Sequence, residues 1–257
     1  MNWDKIDTSK PSIELIEKII LPDFRYIRND ITEITTGMPL YHSLLTAIAM
    51  GDGKTHTAFK RANISSTVGV TAIDELCNIG IIKMKKGDQF FTSWKERESI
   101  DNKLFFRSPF LRFWFTFISP IFKGIRDGDY KEIRERFENR RSQFIQLPFI
   151  ELSHELLKLN FTDDPILDIG TYWNNKIEID IFAKTETGKI VVGIVKYTNS
   201  KMKKSELTKL KQLAQESGIK VDIFVLVSKN GFSNELKTLK GKDLKLFTLK
   251  NFKKLVE

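Results

Sequence analysis

The chain has 257 residues, 41% of them hydrophobic and 29% charged, with a formal net charge of +9. That composition can fill one large core or two small ones and excludes a disordered or fibrous polymer. The single cysteine, Cys77, excludes an internal disulfide framework, and with no apolar leader at the start a reducing, cytoplasmic location is expected.

Ser12 is a fitting N-cap for SIELIEKII, whose Ile13, Leu15, Ile16, Ile19 and Ile20 form an apolar face, and Asp30 to Met38 reads as a connector. From Pro39 the pattern becomes compact and helical. Leu44, Leu45, Ala47, Ile48 and Ala49 mark a first helix and His56 to Asn63 a second; Ile64-Ser65-Ser66 is a turn. A third helix over Ser66 to Asn78 should bury Val68, Ala72, Ile73 and Leu76 and stop at Gly80. Ile81 to Phe91 reads as a two-stranded wing turning at Gly87-Asp88. This is the order of a winged helix-turn-helix, which would contact DNA through its third helix. The outward positions of that helix, Ser65, Thr67, Gly69, Val70, Thr71, Asp74 and Glu75, include no Arg or Lys. The expected DNA contacts are therefore Ser65, Ser66, Thr67 and Thr71, with Lys83, Lys85 and Lys86 from the wing.

Gly51-Asp52-Gly53-Lys54-Thr55 imitates the end of a phosphate-binding P-loop, but the required earlier glycine is Ile48 and a helix precedes the loop. It reads as a helix end and turn. Leu104 to Ile121 has the length of a membrane span, yet Arg107, Pro109 and Arg112 interrupt it, so a buried aromatic helix is expected and no membrane partner. Lys131 to Arg141 and Phe149 to Leu159 read as two amphipathic helices separated by Pro148.

Beyond them strands and helices alternate: strands at Ile166 to Ile169, Ile177 to Phe182, Ile190 to Lys196, Val221 to Val227 and Leu244 to Leu249, with a helix at Ser205 to Glu216. The expected fold class is α+β or α/β: an N-terminal winged helix-turn-helix followed by a restriction-endonuclease-like α/β sandwich around a mixed sheet. The expected division is 1–38 as a helical segment and connector, 39–100 as the winged helix, and 101–257 as the nuclease-like domain. The excess positive charge lies at the end of the chain, where residues 196–257 hold 15 Lys and 6 acids while the rest is balanced. Such a surface suits phosphate backbones, and equally a solvated face.

An Asp on one strand followed on the next by Glu-x-Lys is the PD-(D/E)XK pattern, whose acids bind a divalent cation. Asp180 and Lys196 stand in those positions, but after thirteen intervening residues the second acid is Ile194. Period two places Glu178 and Asp180 on one face, Ile177, Ile179 and Ile181 on the other, and Val192, Ile194 and Lys196 together on the next strand. An isoleucine gives magnesium no oxygen ligand, so Glu178 or Glu151 would have to complete a set with Asp180. Lys196 could still stabilise a phosphate. His42, His56 and His154 show no metal-ligand spacing, and Asp163-Asp164-Pro165 is most simply a turn.

These residues, together with Pro109-Phe110-Leu111-Arg112-Phe113-Trp114-Phe115, Tyr172-Trp173, Glu178-Ile179-Asp180, Gly193-Ile194-Val195-Lys196 and Gly231-Phe232, resemble the C-terminal region of the archaeal-type DEXX-box family of P-loop ATPases. In that family a winged helix, an aromatic segment and a nuclease-like domain of unsettled function follow the ATPase core, which is absent here. The resemblance covers most of the chain and places Glu151 at the helical acid of the nuclease fold; Ser108 stands where Asp is common. The winged helix suggests a DNA partner, and the resemblance implies a tail encoded alone or split from a separate P-loop ATPase subunit. The expected function is a DNA-associated binding protein with a degenerate, inactive nuclease-like domain and no cofactor. The alternatives are a Mg-dependent endonuclease using Asp180, Lys196, Glu151 and Glu178, and a protein-interaction module without nucleic acid.

Overall fold

The computed structural model describes residue 7 and residues 9–85, 102–173 and 177–256. They form two compact units. One holds the described residues up to 85 and those from 102 to 141; the other holds 142–173 and 177–256. The aromatic segment thus belongs to the first unit and not to the nuclease-like part expected to begin at 101.

The first unit opens with a short helix α1 (Ser12–Leu15) that runs into a π-helical turn, Ile16–Ile20. Helix α2 (Phe24–Ile34) takes up most of the expected connector, and left-handed Thr36 and Gly37 end it before α3 (Pro39–Met50). Helices α4 (Thr55–Ala62) and α5 (Ser66–Asn78) follow, Ser65 capping α5 by accepting from Val68 N. The buried stripe of α5 is Gly69, Ala72, Ile73 and Leu76, which differs from expectation at Val68, 44% exposed, and at Gly69, expected to face outward. Gly69 points inward because it meets the Phe59 ring of α4, which an ideal Cβ would approach to 2.3 Å. Strand β1 (Ile82–Lys85) pairs antiparallel with β2 (Lys103–Phe106), so Leu104 to Phe106 are strand and not the start of the aromatic helix. The expected turn at Gly87-Asp88, the return strand Gln89 to Phe91, and Lys86 lie outside the described residues. Helix α6 (Pro109–Phe113) then leads through a wholly buried π-helical turn, Trp114–Ile118, to α7 (Phe122–Arg126). Trp114 stacks on Phe24 with ring centroids 5.6 Å apart. Large rings packed against helix faces explain why this stretch is core and not membrane span. No helix among the described residues is long and apolar enough to cross a membrane.

Helix α8 (Lys131–Asn160) continues through Pro148, where two helices were expected. Proline forfeits one backbone hydrogen bond, and the apolar face formed by Phe149, Ile150, Leu156 and Leu157 is buried against the sheet, which offsets that loss. The sheet of the second unit has the order β3 (Ile166–Trp173), β4 (Glu178–Thr185), β5 (Ile190–Lys196), β6 (Ile223–Ser228), β7 (Leu244–Thr248). The first two pairings are antiparallel and the last two parallel. Helix α9 (Lys204–Glu216) is the crossover from β5 to β6, and α10 (Asn234–Thr238) precedes β7. The succession α8-β3-β4-β5-α9-β6 gives the expected mixed α/β sandwich. One core cluster joins α8 to Ile181, Val191, Val195 and Val225; the other joins α9 to Ile179, Phe182, Val192 and Leu226.

The turn joining α8 to β3 is held by Asp164. Its carboxylate accepts from Thr187 N at 3.0 Å, Thr187 Oγ1 at 2.6 Å, Thr185 Oγ1 at 3.0 Å and Lys189 Nζ at 3.0 Å. The Thr187 hydroxyl, foremost among these donors, holds it well below the ordinary carboxylate range. Because the folded value lies below the unfolded one, the stabilisation is present above about pH 4 and is lost as pH falls toward the folded value. Asp164→Asn should therefore be less stable than wild type at pH 7, and urea midpoints should show the gap closing on acidification. A gap independent of pH would contradict this.

Candidate functional site

The site region lies where β4 and β5 part. Their ladder runs from Lys184↔Ile190 to Ile181↔Gly193. On the other side of β4, Gly170 pairs with Phe182 and Tyr172 with Ile179, so the single Thr171 faces both Asp180 and Ile181. This is a β-bulge on β4, and a bulge reverses the facing of the residues beyond it. Hence Ile179 packs in the α9 cluster while Ile181 packs in the α8 cluster, where one shared face was expected. The bulge also releases the Asp180 carbonyl, which accepts from Thr171 Oγ1 at 3.2 Å and lies 2.8 Å from His154 Nε2 of α8.

Past Gly193, side chains supply the pairing that the departing strand no longer provides. Asp180 Oδ2 accepts from Val195 N at 2.8 Å. Gln146 of α8 reaches the same strand twice, Nε2 donating to Val195 O at 2.7 Å and Oε1 accepting from Tyr197 N at 2.9 Å. Buried main-chain groups must be paired, and a carboxylate and a carboxamide pair them here.

The remaining expected residues are dispersed. Ile194 packs with the α9 cluster beside Met202, Leu207 and Leu226, whereas strand alternation turns Asp180 away from the side that carries Ile179. Lys196 Nζ forms an ion pair with Glu206 of α9 at 2.7 Å. Glu178 is exposed opposite buried Trp173, and Glu151 is exposed on α8. Among the described residues no three His, Cys, Asp or Glu side chains gather as a metal would need, so Glu151, Glu178 and Asp180 do not make such a set. Gln146, His154 and Glu206 were not among the expected site residues. Only chain folding brings them to β4 and β5, and no spacing in the sequence marks them.

With that geometry in place the chain can be compared with known proteins. Residues 114–209 match the DUF234 family model, described as "Archaea bacterial proteins of unknown function". The DUF234 match takes in α8, β3, β4, β5 and the start of α9, and so contains Gln146, Glu151, Asp180, Ile194, Lys196 and Glu206. No curated protein and no solved structure matches the chain.

In the first unit, Ser65, Ser66, Thr67 and Thr71 are all exposed on α5, and Val70 among them is 53% exposed. Lys83 is half-buried and Lys85 exposed on β1, with Lys85 Nζ 5.2 Å from the centre of the Phe105 ring. Glu75, expected on the outward face, is exposed and receives a hydrogen bond from Tyr41 of α3, and that bond raises the tyrosine's pKa.

Proposed function

We propose that this chain is a DNA-associated binding protein whose nuclease-like unit lacks turnover, and that it works beside a separate P-loop ATPase subunit. One observation carries the reading: the gap between β4 and β5 is closed from within. Asp180 is engaged by the Val195 amide, Lys196 is neutralised by Glu206, and Ile194 is part of the core. A metal-dependent nuclease needs oxygen ligands converging on one point and a cation directed at phosphate. DNA would be held through its backbone. The outward face of α5 carries hydroxyls suited to phosphate, the wing adds Lys83 and Lys85, and the positive excess of residues 196–257, 15 Lys against 6 acids, supplies long-range attraction. The ATPase partner rests on the family resemblance alone.

Incubation of supercoiled and linear DNA with Mg²⁺ or Mn²⁺ tests this. We expect wild type to cleave no faster than Asp180→Ala or Lys196→Ala while retaining DNA with an affinity that falls steeply with salt. Cleavage abolished by both substitutions would instead establish an active endonuclease. A third reading, a protein-interaction module, is favoured by the exposed Val68 and Val70 on α5, and absence of both cleavage and retention would select it.

A further inference from the structure

A groove of about 630 Å³ opens within the first unit, lined by His42, Ser43, Thr46, Met50 and Arg61 with two alanines. Ser43, Thr46, Ala47 and Met50 recur at helical spacing and so form one stripe of α3, while Arg61 stands at the end of α4. Three guanidinium groups converge where this stripe ends. Arg61 and Arg140 both donate to the Met50 carbonyl, and Arg136 reaches the Met50 sulfur at 3.2 Å while its Nε donates to Thr116 O at 2.8 Å. The Met50 carbonyl takes up one of the Arg61 donors, and a guanidinium carries five N–H donors in a fixed fork. Burial first, and then the neighbouring guanidinium, hold Arg140 and Arg136 below the usual arginine range. Like charges gathered beside a groove whose described lining contains no acidic side chain are stabilised by an anion entering it.

We propose that this groove binds the phosphoryl group of a small phosphorylated ligand. Arg61 supplies charge-assisted hydrogen bonds, Ser43 and Thr46 supply hydroxyl donors, and Arg136 and Arg140 add positive field from the Met50 side. The volume falls within the range of small-molecule sites, on the order of 300–1,000 Å³, and exceeds what a lone phosphate needs. The inference is independent of DNA binding by α5 and of the state of the nuclease-like unit.

Equilibrium dialysis of the full chain against labelled inorganic phosphate and pyrophosphate tests it, with a duplex DNA arm run in parallel. Saturable binding is expected, weakened roughly tenfold or more by Arg61→Met and several-fold by Thr46→Val, in keeping with the loss of a hydrogen bond to a charged group. Thr46→Val keeps the shape of the side chain and leaves the Arg61 contact to Met50 intact, so it reads the groove even where Arg61→Met unfolds. No saturable uptake by wild type, or equal uptake by wild type and Thr46→Val, overturns the proposal. Duplex affinity reduced by Arg61→Met with phosphate and pyrophosphate uptake unchanged also overturns it, assigning the arginines to the nucleic-acid backbone.

Discussion

Gly193→Val is expected to destabilise the second unit by about 3 kcal/mol, at the upper end of what an overfilled core costs. Gly193 sits in the middle of the sheet, opposite Ile181 of β4 and Val225 of β6. An ideal Cβ there would lie 2.6 Å from Val225 O and 3.0 Å from Ile181 Cδ1. The first neighbour is backbone held in the parallel ladder, so it cannot swing aside as a flexible side chain would. Branching at Cβ adds two methyl groups to a space that does not hold one carbon. Urea unfolding monitored by far-ultraviolet circular dichroism would measure the effect. A loss below about 1 kcal/mol, the ordinary scale of a tolerated substitution, would mean that the β5–β6 approach is looser than described.

Gln146→Ala should cost about 3 kcal/mol, for a different reason. The substitution removes little apolar area but strips Val195 O and Tyr197 N of the partners that replace β4. Each orphaned, poorly hydrated main-chain group costs roughly 1–3 kcal/mol. Gln146→Glu separates the two bonds, because a carboxylate still accepts from Tyr197 N but turns an oxygen toward Val195 O. It should therefore be no less destabilising than loss of the Val195 bond alone. Amide exchange at Tyr197 reports the site directly, and protection unchanged in Gln146→Ala would show that water takes over the role. Because Asp180 shares this duty, Asp180→Ala is a structural as well as a chemical perturbation. Cleavage assays with that variant need a folding control.

The amino-acid sequence by itself determined the element order. Apolar repeats at helical spacing marked α3 and α5, and the third helix runs over Ser66 to Asn78 as expected because Ser65 caps it locally and Gly80 adopts φ +78°. The apolar run Ile190 to Lys196 marked a strand, and the alternation of strands and helices around it implied a mixed sheet. These signals are local, set by side chains a few residues apart. Tertiary structure decided what no short window contains. Pro148 stays inside one helix because distant strands bury the face around it. Strand β1 pairs with residues 103–106, a partner about twenty residues away that no short window joins to it. The site depends on the bulge at Asp180–Ile181, one residue of register that sends Ile181 to the α8 side. Asp180, Ile194 and Lys196 were legible as types in a spacing. Their engagement by Val195, the α9 cluster and Glu206 was not, because those partners come from chain segments whose meeting only the packed sheet and helices bring about.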